Sequence, residues 1–220
     1  MKISKRTIDI LKNFSVINNT IFFDESKIAK TRSIAGNIYA IADIEEEFPN
    51  FGIYQLNELL GVISLFDLEN TDFIFEDKYL IVKSGRSSAR YGFTDLDLLP
   101  CYGKIKKSDN YKSFDKFDAG FSLSEEDINK IKKSSSIMKL PHLEVSIADG
   151  KGKLKIKDNE NPLSNNFKMT FEGNGNCDVE MNVQNLLLMS YDYEVGVSKS
   201  TLIRFLNKDK NLMYFISVKS

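Results

Sequence analysis

The residues of this chain that are able to do chemistry are few, and their spacing does not suit it. The single histidine, His142, follows Pro141 and has no second histidine or cysteine close by in sequence. Asp67 with Asp72, and Asp95 with Asp97, are carboxylates near enough in sequence to be weighed as metal ligands. Acidic loops of this kind are far more often solvated. Cys101 and Cys177 lie far apart, and neither belongs to a CxxC pair, which argues against a disulfide framework and suits a reducing compartment. Gly173-Asn174-Gly175-Asn176 reads as a turn, without the helix and the Lys-Ser/Thr pair that a phosphate loop requires. No catalytic residue, metal ligand or cofactor is nominated, and the chain is read as a non-enzyme.

Lysine carries a different chemistry. Residues 4–17 and 124–137 read as one pattern written twice, with Ser, Ile, Lys, Ser and Ile recurring at 4/124, 8/128, 12/132, 15/135 and 17/137. Each opens on a serine suited to capping a helix. In the first, Thr7, Ile10, Leu11, Phe14 and Ile17 fall at helical spacing, with Lys5, Asp9, Lys12 and Asn13 opposite. A cationic helix in duplicate points to a protein that holds a polyanion without reacting with it. The candidate cations are Lys5, Arg6, Lys12, Lys130, Lys132, Lys133 and Lys139. The plainer reading is that these lysines are the solvated face of two surface helices. Asp9 and Asp127 lie among them and weaken the local field.

The rest of the chain must position those helices. Its 220 residues suit two small domains, and 42% hydrophobic residues suffice for a core. The net charge of -1 excludes a broadly basic protein, but the charges are segregated. Acids gather at 45–47 and 67–77, bases at 5–6, 104–107 and 130–133. The start of the chain has Lys2, Lys5 and Arg6 but no apolar stretch of a signal peptide, and no apolar run approaches the roughly 20 residues of a membrane span. A soluble intracellular protein is expected.

Period-2 patterns predict strands over 21–23, 27–33, 37–43, 73–76, 79–84, 87–93, 142–148, 151–157, 166–172, 178–181, 193–198, 201–206 and 212–218. Asp149-Gly150 is a hairpin signal. Helical spacing returns at 54–66, and residues 183–190 read as a short Leu-rich helix. These second helices hold no lysine or arginine between 55 and 66 or between 184 and 190. Both halves therefore run helix, strands, helix, strands, as a duplicated domain does. The domains are expected at 1–100 and 119–220, joined by a connection at 101–118.

At this point the chain resembles the sliding clamps of T4-type bacteriophages. The likeness rests on Met1-Lys2-Ile3-Ser4, on Leu11-Lys12-Asn13-Phe14, and above all on Ile53-Tyr54-Gln55-Leu56-Asn57-Glu58-Leu59-Leu60-Gly61-Val62-Ile63-Ser64-Leu65. Thr31-Arg32-Ser33, Gly36-Asn37-Ile38-Tyr39-Ala40 and Ser124-Glu125-Glu126-Asp127-Ile128 add to it. It is densest over 1–66. The resemblance implies an α+β sliding-clamp fold, with two similar domains, each with two helices packed on antiparallel sheet. It implies a closed ring of three chains around duplex DNA that tethers the DNA polymerase. An ATP-driven clamp loader is an implied partner, late-transcription factors are a second set, and the implied location is the cytoplasm of the infected bacterial host. It also implies an outer pocket for a short hydrophobic partner peptide, for which Leu98, Leu99, Tyr214, Phe215 and Ile216 are candidates by position. Ring closure needs strand edges, and 79–84 or 87–93 are candidates in the first domain.

Two rivals stand beside this reading. One is a monomeric two-domain adaptor that binds peptides and not DNA. The other is a metal-dependent nucleic-acid enzyme built on the scattered carboxylates.

Overall fold

The computed structural model describes residues 1–100, 102–106, 114–161, 163–199 and 201–219. Cys101 and residues 107–113 of the expected connection lie outside the described residues. Two compact units are present, Met1–Lys112 and Ser113–Ser220.

The first unit opens on helix α1 (Lys5–Ile17). The Ser4 hydroxyl accepts from the Thr7 amide at 3.2 Å. The Glu46 carboxylate, from far along the chain, accepts from the Ser4 amide and the Thr7 hydroxyl. The first amides of a helix have no partner within it, so an acid there satisfies donors and meets the positive end of the dipole. Thr7, Ile8, Ile10, Leu11, Phe14 and Ile17 form the buried stripe. Helix α2 (Leu56–Ile63) is started by Asn19. Its carbonyl accepts from the Leu56 amide at 2.7 Å, and its side-chain oxygen from the Asn57 amide at 2.8 Å.

Strands β1 (Ile21–Phe23) and β4 (Phe51–Ile53) pair antiparallel, as do β2 (Ile28–Arg32) and β3 (Ile38–Asp43). Strands β5 (Asp72–Phe75), β6 (Tyr79–Ser84) and β7 (Ser87–Gly92) form a meander in that order. Tyr79–Ser84 is thus an inner strand with partners on both sides, which removes it as a free edge; of the two candidates, β7 lies at an edge. Phe23, Phe48, Phe75, Phe51 and Phe93, in that spatial order, join the meander to the β1/β4 pair, with ring centroids from 4.4 to 5.7 Å between successive members. Part of the expected connection is folded onto this unit. A turn at Leu96–Leu98 and helix α3 (Tyr102–Lys106) bury Leu99 and Ile105. Gly52 makes this possible, because a Cβ there would stand 2.7 Å from Leu99 Cδ1.

The second unit contains β8 (Ala119–Leu123), helix α4 (Glu125–Met138), β9 (His142–Ala148), β10 (Lys151–Lys157), β11 (Phe167–Gly175), β12 (Cys177–Asn182), β13 (Tyr193–Ser198), β14 (Leu202–Asn207) and β15 (Leu212–Ser217). Its strands run in the order β12-β9-β10-β11-β8-β13-β14-β15. Every described pairing among them is antiparallel. Ser124 and Asp127 cap α4 reciprocally, the serine accepting from the Asp127 amide and the aspartate from the Ser124 amide. Ile128 and Ile131 are the buried residues of α4, set among Leu143, Val145, Leu154 and Met181.

The expected helix at 183–190 does not form. Val183–Asn185 makes one 3-10 turn, and the chain then continues through 186–189 in neither helix nor strand. Burial alternates, with Leu186 and Leu188 inside. Side chains take the backbone groups that a helix would use. Lys132 Nζ donates to the Leu188 carbonyl at 3.0 Å, the Met189 amide donates to the Tyr214 hydroxyl at 3.3 Å, and the Tyr193 hydroxyl donates to the Met189 carbonyl at 2.9 Å. The expected turn at 173–176 is also shifted. Residues 173–175 extend β11, and Gly175 has a φ of 72° where a Cβ would meet the Asp118 carbonyl oxygen at 2.0 Å.

A small ionic group lies on the second unit. Lys157 Nζ is 2.5 Å from Glu144 and 3.2 Å from Glu180, and Asn159 donates to Glu180 at 2.8 Å. Burial alone would push the Glu180 carboxyl up, but the bonds from Asn159 and Lys157 outweigh it and hold the group below the usual carboxylate range.

Two tests follow from these contacts. Glu46→Ala leaves α1 without its distant acceptor and should cost about 1–3 kcal/mol in denaturant unfolding, with Glu46→Gln intermediate. Glu180 has a lowered folded pKa, so its contribution is complete above the unfolded value and is lost as pH falls through the folded one. Amide exchange in β9, β10 and β12 should therefore accelerate below about pH 4, and Glu180→Gln should flatten that rise.

Candidate nucleic-acid interface

Helices α1 and α4 present their cations very differently. On α1 the solvent face is the row Lys5, Asp9, Lys12 and Val16, at the i, i+4, i+7 spacing of one helical side. Lys5 and Lys12 are exposed, and Lys12 lies 3.9 Å from Asp9, a loose pair on an open surface. Such pairs contribute little and yield readily to a better anion. Arg6 is half-buried, its guanidinium donating to the Asp43 carbonyl at 2.7 Å. It ties α1 to the end of β3.

On α4 the solvent row is Glu126, Lys130, Lys133 and Ile137. The first turn is acidic, with Glu125, Glu126 and Asp127, which suits the helix dipole and opposes a polyanion. Lys130 pairs with Glu126 at 2.7 Å, which holds its ammonium above the usual lysine range. Lys133 is exposed. Lys139 is exposed at the left-handed C-cap, with φ 55°. Lys132 is half-buried and is engaged with the Leu188 carbonyl; burial pushes its pKa down. The sites with outward charge are thus Lys5 and Lys12 on one helix, and Lys130, Lys133 and Lys139 at the end of the other. Arg6 and Lys132 hold structure.

The candidates for a partner-peptide pocket are placed as follows. Leu98 is 65% exposed, and Leu99 is buried against Gly52. Tyr214, Phe215 and Ile216 are buried residues of β15, and the Tyr214 hydroxyl is used by Met189. Of the five, Leu98 alone offers an exposed apolar side chain. Asp67, Asp72, Asp95 and Asp97 are placed without a metal-like grouping; among the described residues no three His, Cys, Asp or Glu side chains cluster as a metal site. The role of Glu46 was not visible in sequence, since its partner Ser4 lies 42 residues away.

A family model described as DNA polymerase processivity factor matches residues 2–93. The sliding clamp of Vibrio phage KVP40 is 28% identical over the whole of both chains. That of Escherichia phage RB69 is 25% identical over 89% of this chain and 86% of its own. By sequence the chain is similar to the T4-type phage sliding clamps. The fold agrees. A structure of A. fulgidus PCNA bound to the C-terminal region of FEN-1 matches with a TM-score of 0.72 at 12% identity, covering 100% of this chain and 97% of that one. The α+β clamp fold read from the sequence is therefore present, with its second C-terminal helix reduced to one turn. No helix among the described residues is long and apolar enough to cross a membrane.

The division among the lysines is testable. Lys12→Glu with Lys133→Glu should weaken duplex binding at low salt and reduce the slope of log affinity against log salt by about 2. Lys132→Met should leave that slope unchanged and lower the stability of the C-terminal unit instead.

Proposed function

We propose that the protein closes as a homotrimeric ring around duplex DNA and tethers a phage DNA polymerase for processive synthesis. The observation that carries this is the end-to-end match to the KVP40 sliding clamp. The two units are read as clamp domains at 1–100 and 119–220, joined by 101–118. The exposed cations Lys5, Lys12, Lys130, Lys133 and Lys139 would face the phosphates, with Arg6 and Lys132 holding the helices that carry them. Lysine suits this task, because a flexible point charge does not lock onto a base edge.

Strand edges support a ring. Strand β7 has an open edge in the first unit, and residues 167–172 of β11 pair only with β10 in the second. One chain thus carries two different edges, and joining unlike surfaces head to tail generates a closed ring when the rotation fits. Such a ring is opened by an ATP-driven loader, binds the polymerase through a short apolar peptide, for which Leu98 is the exposed candidate, and serves late-transcription factors in the host cytoplasm.

Sedimentation across a dilution series is the test. A species of three times the 25.1 kDa chain mass, passing directly to monomer, supports three equal interfaces. Monomer at every concentration removes the self-assembled ring and moves the adaptor reading ahead. Once loaded, the ring should survive high salt on closed circular DNA and leave linear DNA by its ends; release from circles by salt alone contradicts topological holding.

A further inference from the structure

Strand β10 reads Lys151-Gly152-Lys153-Leu154-Lys155-Ile156-Lys157. The alternation places Gly152, Leu154 and Ile156 inside, beneath α4, and four lysines on the outer face of the sheet. The register sets Lys155 beside Glu144 of β9 and Lys168 of β11, and Lys153 beside Ser146 and Thr170. Glu144 is already taken by Lys157. Among the described residues Lys153, Lys155 and Lys168 make no ion pair or side-chain hydrogen bond. Lys155 and Lys168 are direct cross-strand neighbours of like charge, an arrangement that opposes sheet pairing. The outer face therefore keeps a repulsion that its own fold does not relieve.

The shape of the patch selects its ligand. It is about one strand wide, roughly 5 Å, and Glu144, Glu180 and Asp178 border it on the β9/β12 side. A duplex laid across it would set phosphates over those acids. The rows from 144 to 148, 151 to 155, 168 to 172 and 178 to 180 show no Phe, Tyr or Trp outward, so the stacking platforms that single strands use are missing. Outward side chains on one strand recur at roughly 6.8 Å, the spacing of alternate side chains on an extended peptide. We propose that this face is a docking surface for an extended acidic segment of a partner protein, with Lys153 and Lys155 meeting carboxylates at alternate positions and Lys168, across from Lys155, sharing the second of them. This surface is distinct from the lysines of α1 and α4 and from the apolar-peptide candidates.

The probe is a dye-labelled nonapeptide alternating Glu and Thr, titrated with the full chain by fluorescence anisotropy at about 50 mM salt, where screening is moderate. The same peptide with Gln for Glu and a short labelled oligothymidylate are the comparisons. Binding of the acidic peptide alone is expected, weakened about tenfold by Lys153→Thr with Lys155→Thr and unaffected by Lys12→Glu. Lys168→Thr should weaken binding while leaving Tm unchanged or raised, because it removes the like-charge pair. Equal affinity for the Gln peptide, tighter binding of oligothymidylate, or a fall in Tm for Lys168→Thr with binding intact would each overturn the proposal.

Discussion

An antiparallel sheet with one face covered by a single helix sets most of what this molecule can do. In the second unit α4 reaches the sheet through Ile128 and Ile131, and the strands beneath answer with Leu143, Val145, Leu154 and Met181. The strict two-residue period then fixes the other face without further choice. Every Leu or Ile sent inward along β10 obliges a neighbour to face water, and the neighbours are lysines. The core therefore dictates where the outer charge can lie, and the helix dictates where the inner charge can lie.

Charge on this chain is allocated by what already holds it. Arg6 and Lys132 have the right residue type for a phosphate contact, yet backbone carbonyls use them. Lys132 is a substitute for secondary structure, because its ammonium satisfies a carbonyl in a segment that has no helix to do so. Lys5, Lys133 and Lys139 are exposed, Lys12 is loosely paired with Asp9, and Lys130 pairs closely with Glu126 but at the open surface. A cation bound to a buried carbonyl cannot leave without orphaning an acceptor, whereas an exposed pair exchanges at little cost. Counting lysines on a helical wheel overstates the field; sorting them by partner does not.

Local signals were the legible part of the sequence. Ser4 and Ser124 mark both helix starts, and period-2 runs mark most of the strands within a few residues, whereas β4 and β8 were not expected. The lysine-bearing helices followed from these, and the clamp fold from the resemblance densest over 1–66. What could not be read depends on partners distant in the chain. Glu46 completes the cap of α1, Asn19 starts α2, and Tyr193, Tyr214 and Lys132 together draw residues 186–189 out of a helix. A run of three leucines fits a helix stripe and an extended strap equally well, and only the tertiary acceptors decide. The same holds for Tyr214, Phe215 and Ile216, whose apolar character fits a pocket lining or a strand core, and whose burial places them in the latter.

A net charge of -1 gives little long-range attraction for DNA, so the proposed hold on a duplex would be local and weak at each contact. Weak, exchangeable contacts suit a surface that moves along phosphates, since each one released is matched by another formed at the next phosphate. They do not suit a surface that must stay bound by affinity. A protein with this distribution of charge would remain on DNA only if something other than affinity kept it there, and the proposed closure of unlike strand edges into a ring would supply that constraint without any added contact to the DNA.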